Sequence, residues 1–279
     1  MDDEIKVVVG SVIYKEAADY IPDFLDSLHS QTNQNFDIVL INDNFLEEEL
    51  LDILDDYLGW FGKRLQIRNS IASQNLIHHL RIELLRTVKL QSYDLIILVD
   101  CDDVCENRRV ERTVDQYDQK YAFFYNELVD FQSKKVMPEL PKEVMTIDSI
   151  LQHNFLGLSN TSINMSHMPM EFIESLKDGN TNIFDWYLFS RIILAGGIGK
   201  KIQDTVTYYR LHSNNIAGKI EFSIESLKKE REIKIQHYML LKAYCRKCEQ
   251  LLLKYSNMSF SEDVSKKEDY VFWWGLIHV

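Results

Sequence analysis

Short apolar runs and amphipathic stretches alternate through the first hundred residues. Lys6-Val-Val-Val-Gly10 is apolar, and Ile21, Phe24, Leu25 and Leu28 then recur at helical spacing. Asp37-Ile-Val-Leu-Ile41 predicts a second strand that stops at Asn42-Asp43-Asn44. Glu47 to Tyr57 is helical again, with Leu50, Leu51, Leu54 and Leu58 on one face. Leu65-Gln-Ile-Arg68 reads as a third short strand and residues 74–89 as a third helix. Asp94-Leu-Ile-Ile-Leu-Val99 is apolar on both faces, as a central parallel strand is, and runs straight into Asp100-Cys-Asp-Asp103. A βαβαβαβ succession predicts an α/β fold with a parallel, doubly wound sheet, whose ligand crevice lies beyond the carboxyl ends of its strands.

After residue 120 the pattern changes. Tyr121-Ala-Phe-Phe-Tyr125 and Asp130-Phe-Gln132 predict a strand and a hairpin, and helices are expected over 146–153 and 170–177. Residues 184–195 form a strongly apolar helix stopped by Gly196-Gly197. Thr205-Val-Thr-Tyr-Tyr-Arg210 alternates like a strand, and residues 222–256 read as one long amphipathic helix. The tail ends in Tyr270-Val-Phe-Trp-Trp274. No internal repeat or interdomain linker is visible.

Composition narrows the classes. The chain has 279 residues, 46% of them hydrophobic, with only four prolines and ten glycines, which excludes low-complexity and fibrous material. No apolar run reaches the roughly 18–20 residues of a membrane helix, and Met1-Asp2-Asp3-Glu4 does not read as a secretory signal. The net charge of −12 disfavours nucleic acid as a partner. Residues 1–62 hold 15 acids against two lysines, so the excess is concentrated there, either as a solvated face or as an acidic mouth that needs a metal. Cys101, Cys105, Cys245 and Cys248 make no disulfide framework. Cys245 and Cys248 fall on the apolar stripe of the expected long helix, which reads as core packing in a reducing, cytoplasmic compartment.

The chemistry sits at element ends. Asp100-Cys-Asp-Asp103 places three carboxylates directly after a buried strand, the oxygen-rich donor set that Mg²⁺ and Mn²⁺ prefer. Asp43, at the tip of an earlier strand, could accept a hydrogen bond from a base or cap the following helix. Asp185, flanked by Phe184 and Trp186, could cap its helix or act as a general base tuned by apolar neighbours. Tyr209-Arg210-Leu-His212-Ser-Asn214-Asn215 offers groups for a diphosphate and a metal shell. Gly10-Ser-Val-Ile-Tyr14 is neither a dinucleotide fingerprint nor a Walker pattern, which disfavours a nicotinamide dehydrogenase or a P-loop kinase.

Taken in order, these segments resemble the family 2 glycosyltransferases of GT-A fold over about residues 5–218. Val7 to Glu16, continuing through Tyr20-Ile-Pro22 to Ser30-Gln-Thr32, is similar to the family's first strand and helix. Phe36-Asp-Ile-Val-Leu-Ile-Asn-Asp43 resembles its second strand, with Asn42 in place of the first of two acids. Leu98-Val-Asp-Cys-Asp-Asp103 resembles its D-x-D-D motif, Phe184-Asp185 its Glu-Asp base segment, and Tyr208 to Asn215 its closing motif. The clearest departure is Ser70-Ile-Ala-Ser-Gln-Asn75 with Ile77-His-His79, where many members carry Gly and Ala-Arg-Asn.

The resemblance implies a GT-A domain over 1–218, with a nucleotide-sugar half (1–120) and an acceptor half (121–218), followed by a helical and aromatic extension (219–279). It implies sugar-nucleotide contacts from Val12, Tyr14, Glu16, Asp43, Asp100, Asp102 and Arg210, with His78 or His79 replacing the missing motif. Asp102, Asp103 and His212 would face Mn²⁺ or Mg²⁺, and Asp185 would be the base. The implied reaction is inverting transfer from a nucleotide-diphosphate sugar to a hydroxyl of a glycan or lipid-linked glycan acceptor, in surface glycan synthesis. Ile150 to Met168, with His153, Asn154 and Asn160, falls where the family builds its acceptor side. Trp273 and Trp274 could dock on the core, on a second subunit or, peripherally, at a membrane; few basic residues lie there, which favours protein. Two alternatives stand beside this reading, a sugar nucleotidyltransferase and a non-catalytic sugar-nucleotide- or glycan-binding relative.

Overall fold

A computed structural model describes residues 5–70, 76–181, 183–211, 223–259 and 272–279. In β1 (Val7–Tyr14), Val8 and Val12 enter one hydrophobic core while Val7, Val9 and Ile13 enter another. Alternate side chains of a strand point to opposite faces, so a strand of this composition needs cover on both. β2 (Asp37–Asp43), β3 (Leu65–Asn69) and β4 (Leu95–Leu98) lie beside it, parallel, in the order β3-β2-β1-β4. α1 (Ile21–His29) and α2 (Glu47–Phe61) cover one face of this parallel half, and α3 (Ile77–Leu90) covers the other.

The second half of the sheet is built from β5 (Val104–Cys105), β6 (Phe123–Asp130), β7 (Glu143–Val144), β8 (Thr161–Asn164) and β9 (Gly199–Tyr209). Its order continues β4-β8-β6-β9-β5, with β7 added on β9. β8 runs antiparallel to both β4 and β6, and β9 then returns parallel to β6. The architecture is thus the expected mixed α/β fold with a curled, mostly parallel sheet, modified by the antiparallel strands β8, β5 and β7, which the alternation of elements alone does not disclose. α4 (Arg109–Asp115), α5 (Met170–Ser175) and α6 (Phe184–Leu194) complete this region, α6 carrying Phe184, Trp186, Leu188 and Phe189 into the core.

Three expectations need correction. Residues 222–256 are not one helix but α7 (Ile224–Leu241) and α8 (Arg246–Ser256), separated where Cys245 turns to an extended φ of −149°. The break lets Tyr238 and Tyr255 stack at 5.6 Å and puts both in the core, which a straight helix would hold far apart. Cys248 is buried and Cys245 half-buried, and both thiols are free. The helix expected over 146–153 is a single 3₁₀ turn, Ile147–Ile150. The strand expected to start at Thr205 begins at Gly199.

The aromatic tail packs on protein: Trp273 and Trp274 are buried and belong to the larger core. No helix among the described residues is long and apolar enough to cross a membrane.

Gly10 sets how closely α3 approaches β1. A Cβ there would stand 2.8 Å from Ile96 Cδ1 and 3.1 Å from each Leu84 methyl. Gly10→Ala is expected to destabilise the fold by about 1–3 kcal/mol through overpacking. Gly59→Ala in α2, where nothing lies within 4 Å of the added methyl, is expected to stabilise by roughly 0.5–1 kcal/mol. Urea unfolding checks both signs; equal midpoints for the two variants would contradict this packing.

Candidate active site

The carboxyl ends of β1, β2 and β4 lie side by side. Tyr14 and Asp43 are register partners at the ends of β1 and β2, while Val99 N–H donates to Gly10 O as the chain leaves β4 for Asp100 to Asp103. Tyr14 Oη donates to Asp102 Oδ2 at 3.2 Å, joining the first strand to the acidic loop. Burial, then the Asp102 charge, pushes the Tyr14 hydroxyl far above its usual range, so it stays a donor.

The acidic loop is held through both its backbone and its carboxylates. Asp100 N–H donates to Ser159 Oγ (3.0 Å), and Asp103 N–H donates to Asp100 O (3.1 Å). Asp103 is almost fully buried; its Oδ1 accepts from Arg210 N–H at 2.7 Å, while Oδ2 has no hydrogen-bond partner among the described residues. Burial, reinforced by the Asp102 charge, raises the Asp103 pKa well above the carboxylate range. Asp100 is also raised by burial, although Arg81 opposes this with Nη2 3.3 Å from Oδ1.

Two adjacent carboxylates and an orphan buried oxygen fit a hard cation. A Mg²⁺-like ion takes one or two carboxylates and fills its shell with phosphate oxygens and water. Asp102 and Asp103 provide that donor set. Among the described residues no group of three or more His, Cys, Asp or Glu side chains could hold a metal ion, and His212 lies outside them.

Asp185 occupies the first turn of α6 and is partly exposed. Its Oδ1 accepts from Trp186 N–H (2.8 Å) and its Oδ2 from Asn154 Nδ2 (3.3 Å). Desolvation lifts its pKa to about 6, against the pull of the Arg81 charge. Its contribution to stability is therefore full below the ordinary carboxylate range and lost as pH rises through about 6. Arg81, Asp100, Val12 and Phe184 line one narrow cleft between α3, β1 and α6, which ties Asp185's helix to the acidic loop.

The remaining sequence-derived candidates are spread more widely. Asp43 Oδ1 accepts from Asn44 Nδ2 at 2.8 Å, and Glu16 is exposed in the turn after β1. His78 is buried, its Nε2 has no partner among the described residues, and its pKa is lowered by burial and by His79, whose ring centroid is 4.1 Å away. Both histidines precede Arg81 by no more than one turn of α3. Arg210 reaches the loop through its N–H and through Nε, which donates to Asp102 O at 2.9 Å. Its guanidinium pairs with Asp23 at 2.7 Å and lies over the rings of Phe131 and Tyr20. Asn42, standing where an acid was expected, bonds Phe45 and Asn69 and fixes the turn after β2. Residues 71–75 lie outside the described residues.

Sequence reasoning missed Arg81, Ser159 and the contact between Asn154 and Asp185. Arg81 could have been suspected, as a cation among Leu80, Ile82 and Leu84, but nothing local names its partner.

A curled, mostly parallel sheet crowned by carboxylates, with a helix bearing an acid beside it, matches the GT-A type fold. The chain belongs to glycosyl transferase family 2, whose model matches residues 9–178. Comparison with curated proteins gives no match. Among solved structures, S. aureus TarS 1–349 in complex with UDP-GlcNAc is similar over 91% of this chain and 72% of its own, at 16% identity and a TM-score of 0.62. GalNAc-T7 with UDP, GalNAc and Mn²⁺ is similar over 94% of this chain and 53% of its own, at 10% identity and a TM-score of 0.61. The mannosyltransferase PcManGT from Pyrobaculum calidifontis, in complex with GDP-Man and Mn²⁺, covers 91% and 70% at 11% identity and a TM-score of 0.55. The family places glycosyl transfer on this fold.

Arg81→Met removes the largest influence that keeps the Asp185 pKa down. Carboxyl ¹³C titration should find the Asp185 midpoint above about 6 in this variant. An unmoved midpoint would mean that Arg81 does not act on Asp185.

Proposed function

We propose that this protein is a metal-dependent, inverting glycosyltransferase that moves a sugar from a nucleoside-diphosphate donor to a hydroxyl of a glycan or lipid-linked glycan, in surface glycan synthesis. The observation that carries the reading is geometric: Asp100, Asp102 and Asp103 stand together at the end of a buried strand, and Arg81, 3.3 Å from Asp100, also acts on Asp185, whose carboxyl is pushed up to about 6 by burial. General bases are tuned toward neutrality in this way, whereas adjacent carboxylates with one buried oxygen, Asp103 Oδ2, lacking a hydrogen bond among the described residues suit a hard cation. The UDP-GlcNAc, UDP and GDP-Man bound in the similar structures, two of them with Mn²⁺, support the same donor class.

Tyr14, Asp43, Asp100 and Asp102 would bind and orient the donor at the ends of β1, β2 and β4, with Val12 walling the cleft. Asp102 and Asp103 would hold Mn²⁺ or Mg²⁺, which supplies positive charge to the leaving diphosphate when bound. Asp185 would take the proton from the acceptor hydroxyl as that oxygen attacks the anomeric carbon, opposite the departing nucleoside diphosphate. One base without a second carboxylate as nucleophile gives a single displacement and inverted configuration. Arg81 stands between Asp100 and Asp185 and keeps the base ionised at neutral pH.

Asp102→Asn combined with Asp103→Asn is expected to abolish Mn²⁺-dependent binding of UDP and GDP in calorimetry, and an unchanged affinity would sink the metal assignment. Asp185→Asn should leave donor binding intact and reduce transfer by a factor on the order of 10²–10⁴. In the unaltered protein kcat/KM should rise as pH passes through about 6, since the carboxyl is neutral below that and able to accept a proton above it. A pH profile that keeps this limb in Asp185→Asn would assign the base elsewhere.

A further inference from the structure

We propose that Asn154 is the positioning residue that aims Asp185, and that residues 272–279 are a brace holding Asn154 in place; the proposal rests on Asp185 being the base. Asn154 is fully buried, and its amide has only one workable orientation. Its Oδ1 accepts from Leu156 N–H at 3.1 Å, which turns Nδ2 toward two acceptors, Leu156 O at 3.2 Å and Asp185 Oδ2 at 3.3 Å. A flipped amide would set its oxygen against a carbonyl and a carboxylate. The donor facing the base is therefore fixed by the backbone on which it sits.

That backbone is fixed in turn by the tail. Asn154 N–H donates to Trp273 O at 2.8 Å, and the two residues form an antiparallel bridge. The Trp273 ring lies against Gly157, where a Cβ would come within 2.7 Å of it, so glycine is the residue that admits the indole. The same ring lies 5.5 Å from Tyr209, the neighbour of Arg210. Phe272 stacks on His153 at 5.1 Å.

Buried charges anchor the rest of the segment. Glu230 accepts from Leu276 N–H (3.0 Å) and Ile277 N–H (2.9 Å), and Lys234, 3.1 Å from Glu230, donates to Ile277 O. Gln152, two residues before Asn154, accepts from Tyr255 Oη (2.9 Å) and Val279 N–H (3.0 Å). A buried ion pair is costly unless further hydrogen bonds complete it, and here the tail's backbone completes it. The charged groups that act on Asp185 from other elements are Arg81 on α3 and Asp100 after β4, and neither touches the brace.

The test follows the Asp185 carboxyl by ¹³C titration in the full chain, with the resonance assigned by its loss in Asp185→Asn. In Asn154→Ala the midpoint should rise by about one pH unit, because a donor to the ionised form is lost. In the isosteric Asn154→Asp it should rise further, since two facing carboxylates do not both ionise. Gly157→Ala, which displaces the indole, and Trp273→Phe, which shrinks it without added bulk, should each raise it while leaving Asn154 intact. A midpoint unchanged in Asn154→Asp overturns the positioning role. Shifts in the Asn154 variants with none in either Gly157→Ala or Trp273→Phe overturn the brace. The titration reads the carboxyl whether or not it is the base, so loss of the catalytic reading, decided by transfer in Asp185→Asn, is a separate outcome.

Discussion

The structure depends on concentrating negative charge at the end of a strand that has no water on either face. β4 is buried throughout, and the chain leaving it must place Asp100, Asp102 and Asp103 within one turn. Such a loop is held only if other elements supply hydrogen-bond partners, and they come from far along the sequence: Ser159 before β8, Tyr14 at the end of β1, and the Arg210 N–H after β9. The antiparallel course of β8 makes this possible, because it sets the start of β8, with Ser159 just before it, beside the end of β4. The acidic loop and the second half of the fold are in this sense conditions of each other.

Positions were legible in the sequence where a residue's role follows from its own neighbourhood. An apolar run ending in acids fixes β4 and its loop, and an acid opening an apolar helix fixes Asp185. The donor half of the frame is visible for the same reason, since parallel strands buried on both faces write unbroken apolar runs. Partnerships across the chain are another matter. Ser159 and Asn154 sit in a stretch of mixed polar residues whose pattern does not distinguish a solvated loop from a buried hydrogen-bond network. The division of α7 from α8 is hidden because apolar positions keep helical spacing straight through Cys245; the turn is imposed by the need to bury Tyr238 against Tyr255.

The acidic excess of the first 62 residues also resolves into two populations. Glu47, Glu48, Asp52, Asp55 and Asp56 lie on the exposed face of α2, where charge keeps a surface solvated. Asp43 from the same stretch stands at the strand ends, next in register to Tyr14. Identical side chains thus serve opposite purposes according to whether the sheet or the solvent surrounds them, and the sum of charge describes neither.

The pairing of Asn154 with Trp273 joins distant parts of the chain, and that distance bears on the order of assembly. Strands β1 to β4 and their helices are complete early in synthesis and involve mostly near neighbours. The bridge to Trp273 can close only after α7 and α8 have been made and folded back on each other. Loop closure over such a span is a late event in folding. The parallel half of the sheet can therefore form on a nascent scaffold, whereas the carboxylate loop awaits Ser159 and Arg210 and the Asp185 side awaits the tail, so the parts of the site come into being at different times.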